Sequence, residues 1–191
     1  MRVIAGRYKG RRLASPAWPG LRPTSDRLKE SLFAILSPVL DGARVLDGFA
    51  GSGALGIEAL SRGAADVVFV DEDRRAVSLI ERNLAHCGIT TAYAMIRAEF
   101  TRALGQLPAG RRFDLALLDP PYDHPDLDAV LAAASARVSA GGLLVLEHAT
   151  RRPVPGRLGA WAVTRQVTAG DSAVTFFRES PDAAPGGTEA P

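Results

Sequence analysis

Four consecutive residues in the second half of the chain have the chemistry to act on an amine. Asp119, Pro120, Pro121 and Tyr122 stand at the carboxyl end of a predicted strand over 113–119. An aromatic amine is a poor nucleophile because its lone pair is delocalised into the ring. The Asp119 carboxylate and the Pro120 carbonyl can accept hydrogen bonds from both N–H groups and aim the lone pair, while the prolines hold these acceptors in place. Tyr122 offers a ring on which a nucleobase can stack. A Pro-Pro turn after a strand is also common as a purely structural turn, but the flanking carboxylate and aromatic ring favour a catalytic motif.

A glycine-rich segment over 45–56 is the second candidate, at the end of an earlier predicted strand. Glycines permit a sharp turn and a close approach of the backbone to a ligand, and the next helix offers free N–H groups. Gly51, Gly53 and Gly56 match the G-x-G-x-x-G pattern typical of NAD binding. Asp47 instead favours a positively charged ligand such as S-adenosylmethionine over a pyrophosphate. Both cofactors stay open on this motif alone, as does a tight turn with structural glycines.

Acidic residues follow the next two predicted strands. Asp71 stands 24 residues after Asp47, close to the roughly 20-residue offset at which an acidic side chain meets ribose hydroxyls in nucleotide-binding sheets. The neighbouring Glu72 could take the same role. Glu99, beside Ala98, follows the third strand and could reach an adenine amine, although a surface glutamate at the start of the next helix explains it equally well.

The composition describes one ordinary globular domain. The chain has 191 residues, of which 47% are hydrophobic, and carries no apolar run of the roughly 18 residues that a membrane span needs. A single cysteine excludes an intramolecular disulfide and fits a reducing compartment. The three histidines and the cysteine lack metal-ligand spacing. We therefore expect a soluble cytoplasmic protein with no secretory signal, no membrane partner and no metal.

Basic residues concentrate at the start of the chain. Residues 1–29 hold eight basic side chains and one acidic one, whereas the whole chain has a net charge of only +2. Such a cationic segment favours a polyanionic partner, and a solvated Arg-rich surface explains it equally well. The candidate RNA-binding residues in this segment are Arg7, Lys9, Arg11, Arg12, Arg22 and Arg27.

Strands and helices alternate through the elements that position these residues. Near-continuous apolar strands separated by amphipathic helices indicate an α/β fold with a buried parallel sheet and helices on both faces. The parallel strands are predicted over 44–47, 66–71, 93–96, 113–119 and 142–147, with helices through 55–60, over 74–85 and over 127–137. Two further strands, over 161–167 and 173–177, predict an antiparallel hairpin at the end of the sheet, which gives seven strands in all.

The two ends of the chain differ from this alternating pattern. Short extended pieces over 2–5 and 11–14 predict a small β-hairpin, so we assign residues 1–23 to a basic N-terminal hairpin arm. The main domain is predicted over 24–178, with a first helix that has Thr24 as its N-cap and stops at Pro38. Residues 179–191 are rich in proline and glycine, and we expect them to be disordered.

In this order and spacing, the glycine segment and the Asp-Pro-Pro-Tyr motif resemble class I S-adenosylmethionine-dependent methyltransferases, which have a Rossmann-like fold. Two N-terminal segments narrow the resemblance: residues 2–13 (RVIAGRYKGRRL) and 22–33 (RPTSDRLKESLF). Together with residues 49–64 (FAGSGALGIEALSRGA), they are similar to the bacterial 16S ribosomal RNA guanine-N2 methyltransferases, the RsmD family. The resemblance covers about residues 1–150.

The resemblance implies transfer of one methyl group to the N2 amine of a guanine in 16S rRNA, within an assembled or assembling small ribosomal subunit. Asp119 and Tyr122 would be catalytic and base-positioning, together with Pro120 and Pro121. The basic arm would grip the RNA backbone, and Thr24, Asp26 and Arg27 would close over the site. The implied cofactor-binding residues are Asp47, Gly48, Phe49, Ala50, Gly51, Gly53, Asp71, Glu72, Ala98, Glu99 and Thr24. We expect a monomer in which the amine attacks the methyl group directly and in line.

Two positions depart from the pattern of the family. Gly48 stands where relatives usually carry a bulkier apolar residue, which predicts a looser turn. Glu99 stands where aspartate or asparagine is more usual.

Three alternative functions stay open. One is another N-methyltransferase with the same motif, acting on adenine or cytosine in DNA or on a protein glutamine amide, although no separate target-recognition domain is present. The others are an NAD-linked oxidoreductase and a non-catalytic RNA-binding module, the latter disfavoured by the intact Asp119 and Tyr122. A cytosine-C5 enzyme would need a cysteine nucleophile, and Cys87, which precedes Gly88 at a helix end, is placed for packing.

Overall fold

The computed structural model describes residues 1–16 and 26–180, and these ranges contain five α-helices and eight β-strands. The helices are α1 (Asp26–Leu40), α2 (Ala54–Ser61), α3 (Arg74–Cys87), α4 (Phe100–Gln106) and α5 (Leu127–Ser135). The strands are β1 (Arg44–Gly48), β2 (Asp66–Val70), β3 (Tyr93–Ile96), β4 (Phe113–Leu118), β5 (Val138–Ala149), β6 (Arg157–Leu158), β7 (Trp161–Ala169) and β8 (Ser172–Glu179).

All strands join one sheet in the order β3-β2-β1-β4-β5-β8-β7-β6. Strands β1 to β5 are parallel to one another, and β8 pairs antiparallel with both β5 and β7. The predicted parallel sheet with an antiparallel C-terminal hairpin is therefore confirmed. The strand count is eight rather than seven, because the two-residue strand β6, which pairs with β7, is too short to give a periodic pattern.

Helices cover both faces of the sheet, as the continuous apolar strands predict. Successive residues of a strand point to opposite faces, so Val45 packs in one buried cluster and Leu46 in the other. Helices α1, α2 and α3 supply the first cluster, and α4 and α5 supply the second. Because strands β1 to β5 are parallel, their carboxyl ends meet at one edge of the sheet.

The prediction that Pro38 stops the first helix is wrong. Helix α1 includes Pro38 and continues to Leu40. A proline inside a helix removes one backbone hydrogen bond. Leu36 and Leu40 on the same helix are almost completely buried in the core, and their burial holds the last turn in place despite that loss.

The N-terminal segment, residues 1–16, lies against the body of the protein. Its two halves meet at a single antiparallel bridge between Arg2 and Arg12, where the Val3 N–H donates to the Arg11 carbonyl at 2.9 Å. Val3 and Leu13 are buried in the same cluster as α1, α2 and α3. The predicted hairpin is thus a narrow one whose apolar side chains belong to the core.

A buried ion pair fastens the N-terminal segment. Lys29 of α1 and Glu58 of α2 have no exposed side-chain surface, and the Lys29 Nζ lies 3.6 Å from a Glu58 oxygen. The same ammonium donates to the Arg2 carbonyl at 2.6 Å, and the Glu58 carboxylate accepts the N–H groups of Ile4 at 2.7 Å and Ala5 at 3.0 Å. Charges this deeply buried are tolerated only when they are paired and hydrogen-bonded.

The turn of the hairpin lies at the end of α2. The Arg7 N–H donates to the Ser61 carbonyl at 2.7 Å, and the Tyr8 N–H donates to the Ser61 hydroxyl at 3.0 Å. Helix α2 starts after the carboxyl end of β1 and runs back along the sheet. Its last residue, Ser61, therefore lies at the amino edge of the parallel strands.

Three sequence predictions fall outside the described residues. Thr24 and Arg22 belong to residues 17–25, and most of the predicted tail belongs to residues 181–191. Strand β8 itself runs to Glu179. Within the described ranges, no helix combines the length and the apolar character needed to cross a membrane.

Candidate functional site

A cavity of about 550 Å³ opens at the carboxyl edge of the parallel strands. In open α/β sheets, ligands bind at this edge, where loops from several strand ends meet. The sequence-predicted residues that line it are Asp119, Pro120, Pro121, Tyr122, Phe49, Asp71, Glu72, Ala98 and Glu99. The fold thus brings together side chains that follow β1, β2, β3 and β4.

The glycine turn lies behind this lining. Asp47, Gly48, Ala50, Gly51 and Gly53 are not among the residues that line the cavity. Phe49 is the residue of this turn that lines the cavity. Its backbone is left-handed, with φ of 60°. A non-glycine residue held in this region is strained and is often found at functional sites.

Asp47 braces the glycine turn from within the core. Only 1% of Asp47 is exposed, and its carboxylate accepts the N–H of Gly56, in the first turn of α2, at 2.8 Å. Burial raises the pKa of Asp47 to about 8, and the neighbouring Asp71 charge adds to the rise while the Gly56 N–H opposes it. A Cβ on Gly56 would lie 2.3 Å from the Phe69 ring, so glycine is needed there for close helix–strand packing.

Gly48 is closely packed rather than loose. A Cβ at this position would lie 2.4 Å from the ring of Phe100 and 2.8 Å from Leu118. The volume that a bulkier residue would take is therefore filled by a side chain from α4. The expectation of a looser turn does not agree with this packing.

Three rings form one wall of the cavity. Phe49 stacks on Phe100 with ring centroids 5.0 Å apart, and the His124 ring meets Phe49 edge-on at 5.4 Å. All three residues line the cavity. Such a wall suits a flat, apolar or aromatic group. Phe100 and His124 were not among the predicted site residues, although both stand within two residues of one.

Asp71 links the glycine turn to the start of α3. One carboxylate oxygen accepts the Gly51 N–H at 2.8 Å, and the other accepts the Asp73 N–H at 2.9 Å. Burial raises the pKa of Asp71 against the effect of these two hydrogen bonds. The half-buried Asp71 lies deeper than the exposed Glu72, so Asp71 is the better candidate of the two to hold a ligand in the cavity.

Glu99 caps helix α4. Its carboxylate accepts the backbone N–H groups of Thr101 and Arg102, both at 2.9 Å, and the Thr101 hydroxyl at 2.7 Å. Burial acts to raise the pKa of Glu99, but these hydrogen bonds outweigh it and the pKa is lowered. Glu99 is therefore both the exposed glutamate at a helix start and, with Ala98, part of the cavity wall.

The Asp119 carboxyl group lies in a strongly acidic environment. Burial raises its pKa well above the usual range, and the charges of Glu147 and Asp47 raise it further. Leu118 and Leu146 are paired in the β4–β5 register, so the residues that follow them, Asp119 and Glu147, lie side by side. Glu147 is 6% exposed and also lines the cavity. The sequence signal that could have found it is its place at the end of a predicted apolar strand.

Two side chains from distant segments hold the loop after β4. The Tyr122 and Ser172 hydroxyls are hydrogen-bonded at 2.6 Å. The Arg152 guanidinium donates to the Tyr122 carbonyl at 2.7 Å and to the His124 carbonyl at 2.6 Å. The loop is thereby fixed with Tyr122 only partly buried and facing the cavity.

The predicted RNA-binding residues are exposed where the structure describes them. Arg7, Lys9, Arg11 and Arg12 all present their side chains to solvent. Arg11 also donates to the His86 carbonyl at 2.9 Å, at the end of α3. Arg22 and the side chains of Asp26 and Arg27 lie outside the described part of the chain.

Comparison with known proteins agrees with this architecture. A family model described as "Conserved hypothetical protein 95" matches residues 1–178. The chain is 39% identical over 184 residues to "Putative rRNA methyltransferase YlbH" of Bacillus subtilis, covering 94% of this chain and 99% of that protein. It is 34% identical over 181 residues to "Ribosomal RNA small subunit methyltransferase D" of Escherichia coli, covering 93% and 89%.

A solved structure gives the same result for the fold. "Putative methyltransferase yhhF from Escherichia coli" superposes with a TM-score of 0.83 at 32% identity, over 94% of this chain and 98% of that one. The family model, which matches residues 1–178, includes the N-terminal segment and nearly all of the C-terminal hairpin, and so extends past the 150 residues on which the sequence resemblance rests. With sequence family, fold and cavity in agreement, the chain belongs to the RsmD family of methyltransferases.

Proposed function

We propose that this protein transfers a methyl group from S-adenosylmethionine to the exocyclic N2 amine of a guanine in small-subunit ribosomal RNA. The observation that carries the proposal is the position of Asp119, Pro120 and Tyr122 in one cavity with Asp71. The names of the E. coli and B. subtilis relatives, which both refer to rRNA methyltransferases, support the substrate class.

The acidic character of the cavity supports a cationic cofactor. Asp71, Asp119 and Glu147 all contribute carboxyl groups to its wall, and burial raises the pKa of the first two. A positive ligand would favour their charged forms. Arg75 also lines the cavity, but its guanidinium lies 2.6 Å from Asp73. This environment suits a sulfonium and an ammonium better than the pyrophosphate of NAD.

The lining also fits the remaining parts of S-adenosylmethionine, which supplies an activated methyl group when bound. The Asp71 carboxylate is suited to a ribose diol. Ala98 and Glu99 stand at the end of the neighbouring strand, where an adenine ring would meet the aromatic wall of Phe49 and Phe100. A volume of about 550 Å³ is within the usual range for small-molecule sites.

Asp119 and Pro120 activate the amine in this proposal. The Asp119 carboxylate accepts one N–H and the Pro120 carbonyl accepts the other, which turns the nitrogen lone pair away from the base ring. As the new N–C bond forms, the methyl–sulfur bond of the donor would break and leave a neutral thioether. The nitrogen becomes positive and must release a proton. The Asp119 carboxylate takes that proton, and its raised pKa makes it a stronger base for this step.

Tyr122 positions the base rather than taking part in proton transfer. Its hydroxyl is hydrogen-bonded to Ser172, so the ring has one orientation and can act as a stacking platform. Stacking of this kind contributes about 1–3 kcal/mol per base. Because the Tyr122 ring is already in place before the base binds, less entropy has to be lost when the base is positioned for the reaction.

The exposed basic residues of the N-terminal segment contact RNA backbone in this proposal. The hairpin turn lies at the amino edge of the sheet, whereas the cavity opens at the carboxyl edge. RNA that reaches both must span the protein, which favours a folded RNA or ribonucleoprotein over a short single strand. An assembled or assembling small subunit meets that requirement.

Methylation of purified subunits tests the proposal. Small ribosomal subunits from a strain that lacks this gene would be incubated with the protein and isotopically labelled S-adenosylmethionine, and the 16S rRNA nucleotides analysed by mass spectrometry. We expect the label in N2-methylguanosine at one position. Label in a different nucleotide, in protein or in no product would contradict the proposal.

A further inference from the structure

A second, smaller cavity of about 280 Å³ lies beside the first. It is lined by Tyr122, Ala149, Thr150, Arg151 and Asp171. Tyr122 also lines the larger cavity. Tyr122 is therefore common to the two linings, and its hydroxyl is hydrogen-bonded to Ser172, the neighbour of Asp171 in the second cavity.

The walls of the second cavity are held by backbone contacts. The Thr150 N–H donates to the Asp171 carbonyl at 2.9 Å, which joins the end of β5 to the turn between β7 and β8. Ser172, the next residue, pairs with Ala149 and is hydrogen-bonded to the Tyr122 hydroxyl. The cavity is thus formed by three segments whose positions are fixed.

Two exposed side chains of opposite charge give this cavity its chemistry. Arg151 and Asp171 both line it, and among the described residues no ion pair joins them. A guanidinium binds phosphate through paired N–H donors. A carboxylate accepts hydrogen bonds from the amine and imide groups of a nucleobase. A free inorganic anion would meet Arg151 but would be repelled by Asp171, whereas a nucleotide satisfies both.

We propose that the second cavity binds the nucleotide next to the methylated one, with Arg151 on its phosphodiester and Asp171 on its base. The inference rests on the proposed function, since it takes the target base to lie against the opposite side of Tyr122. It adds a second binding site for the same RNA strand and makes Tyr122 the divider between two consecutive nucleotides.

Steady-state kinetics with small ribosomal subunits tests this inference through Arg151→Ala. We expect the KM for subunits to rise about tenfold at fixed salt, and its salt dependence to fall by about one unit of log–log slope, because one phosphate contact is lost. The kcat and the affinity for S-adenosylmethionine should stay within about twofold, since Arg151 does not line the first cavity. Arg151→Lys should recover part of the loss.

The matched control is Arg165→Ala. Arg165 is also an exposed arginine, but it lies within β7 and lines neither cavity. Asp171→Asn is the second test variant, and we expect it to raise KM without changing the salt slope, because it alters contact with the base.

The outcomes separate this inference from the proposed function. A wild-type KM and salt slope in both Arg151→Ala and Asp171→Asn would overturn the second cavity as a nucleotide site and leave methylation by the first unaffected. An equal rise of KM in Arg165→Ala would also overturn it, because the effect would then be one of general charge. A wild-type protein that methylates no guanine in the subunit would overturn the proposed function itself.

Discussion

Asp119 gains its chemical character from neighbours that the sequence separates widely. Its own strand, β4, ends in the cavity, while Glu147 comes from β5 and Asp47 from β1. Three carboxyl groups at one edge of a sheet cannot all carry charge without a large free-energy cost. A cation bound beside them would lower that cost, which links the acidic cluster to the proposed cofactor.

Asp47 makes the stability of the protein depend on pH. Its pKa is about 8 in the folded protein, above the ordinary value of 3.8. The folded state therefore holds a proton that the unfolded state releases between these two values. The stabilisation is complete below about pH 4 and is lost as pH rises toward 8.

We predict that Asp47→Asn flattens this dependence. Without the cofactor, the wild-type free energy of unfolding should fall with pH between about 5 and 8, and the variant should remove up to about 1.4 kcal/mol per pH unit of that slope. Urea denaturation at several pH values measures both. Asp123→Asn, at an exposed site, is the control. Equal slopes in wild type and Asp47→Asn would show that Asp47 does not titrate in this way.

Residue types at strand ends were sufficient to predict much of the site. Asp71, Glu99 and the Asp119–Tyr122 motif line the cavity, and Asp47 lies just behind it. The contacts that hold the motif could not be predicted. Tyr122 and Ser172 are 50 positions apart, and their contact depends on how the C-terminal hairpin joins β5, which no local pattern encodes.

At the scale of elements, the loop after β4 depends on a clamp from the loop after β5. Arg152 donates to two carbonyls of that loop, those of Tyr122 and His124. Lysine cannot reproduce this paired geometry. A displacement of about 1 Å in a catalytic group can lower the rate by about 100-fold.

We predict that Arg152→Ala lowers kcat by about 10- to 100-fold. The affinity for S-adenosylmethionine should change little, because Arg152 does not line the cavity. Arg152→Lys should remain impaired, and Arg157→Ala, an exposed arginine of β6, should behave as wild type. Single-turnover rates and calorimetric titration give the two quantities. A variant with normal kcat would mean that the loop keeps its position without the clamp.

The N-terminal segment depends on the buried pair of Lys29 and Glu58. Glu58→Gln would remove the negative charge that lies 3.6 Å from the buried Lys29 ammonium. We predict a loss of about 3–5 kcal/mol in the free energy of unfolding, measured by chemical denaturation. Glu30→Gln, at an exposed position of α1 beside Lys29, should change stability by less than about 0.5 kcal/mol. A Glu58→Gln loss as small as that of Glu30→Gln would contradict the role of the pair.

The predicted boundaries of the strands agree best with the structure where the apolar run is continuous. Strands β1 to β4 start where the sequence analysis starts them, because their apolar runs have clear polar boundaries. Strand β5 begins at Val138 rather than at 142, since Gly141 and Gly142 interrupt its pattern. Helix α1 continues past Pro38 because tertiary packing overrides a local signal.

Over the whole molecule, cationic surface and cavity lie at opposite edges of the sheet. Arg7, Arg11 and Arg12 are exposed on the N-terminal segment, which is fixed to α2 and α3. RNA bound by this surface and methylated in the cavity must therefore extend across the protein. The α/β class of the fold could be predicted from the alternating sequence pattern. The separation of the cationic surface from the cavity could not, because it depends on where the N-terminal segment packs against α2 and α3.

We predict that replacing Arg7, Arg11 and Arg12 together by alanine weakens binding to small ribosomal subunits by at least about tenfold. The log–log slope of affinity against salt should fall by about two to three units, because each lost phosphate contact removes most of one unit. Filter binding over a salt series measures both. Unchanged affinity would mean that these arginines are only a solvated surface.

The turnover of Asp119→Ala on small ribosomal subunits, measured together with its affinity for S-adenosylmethionine, tests whether the Asp119 carboxylate prepares an amine for methyl transfer. We predict a loss of at least about 1,000-fold in kcat, with the cofactor affinity changed by no more than a few-fold. Asp119→Asn, which keeps the shape but cannot take the proton, should be nearly as slow. Near-normal turnover by either variant would show that methyl transfer does not depend on this carboxylate.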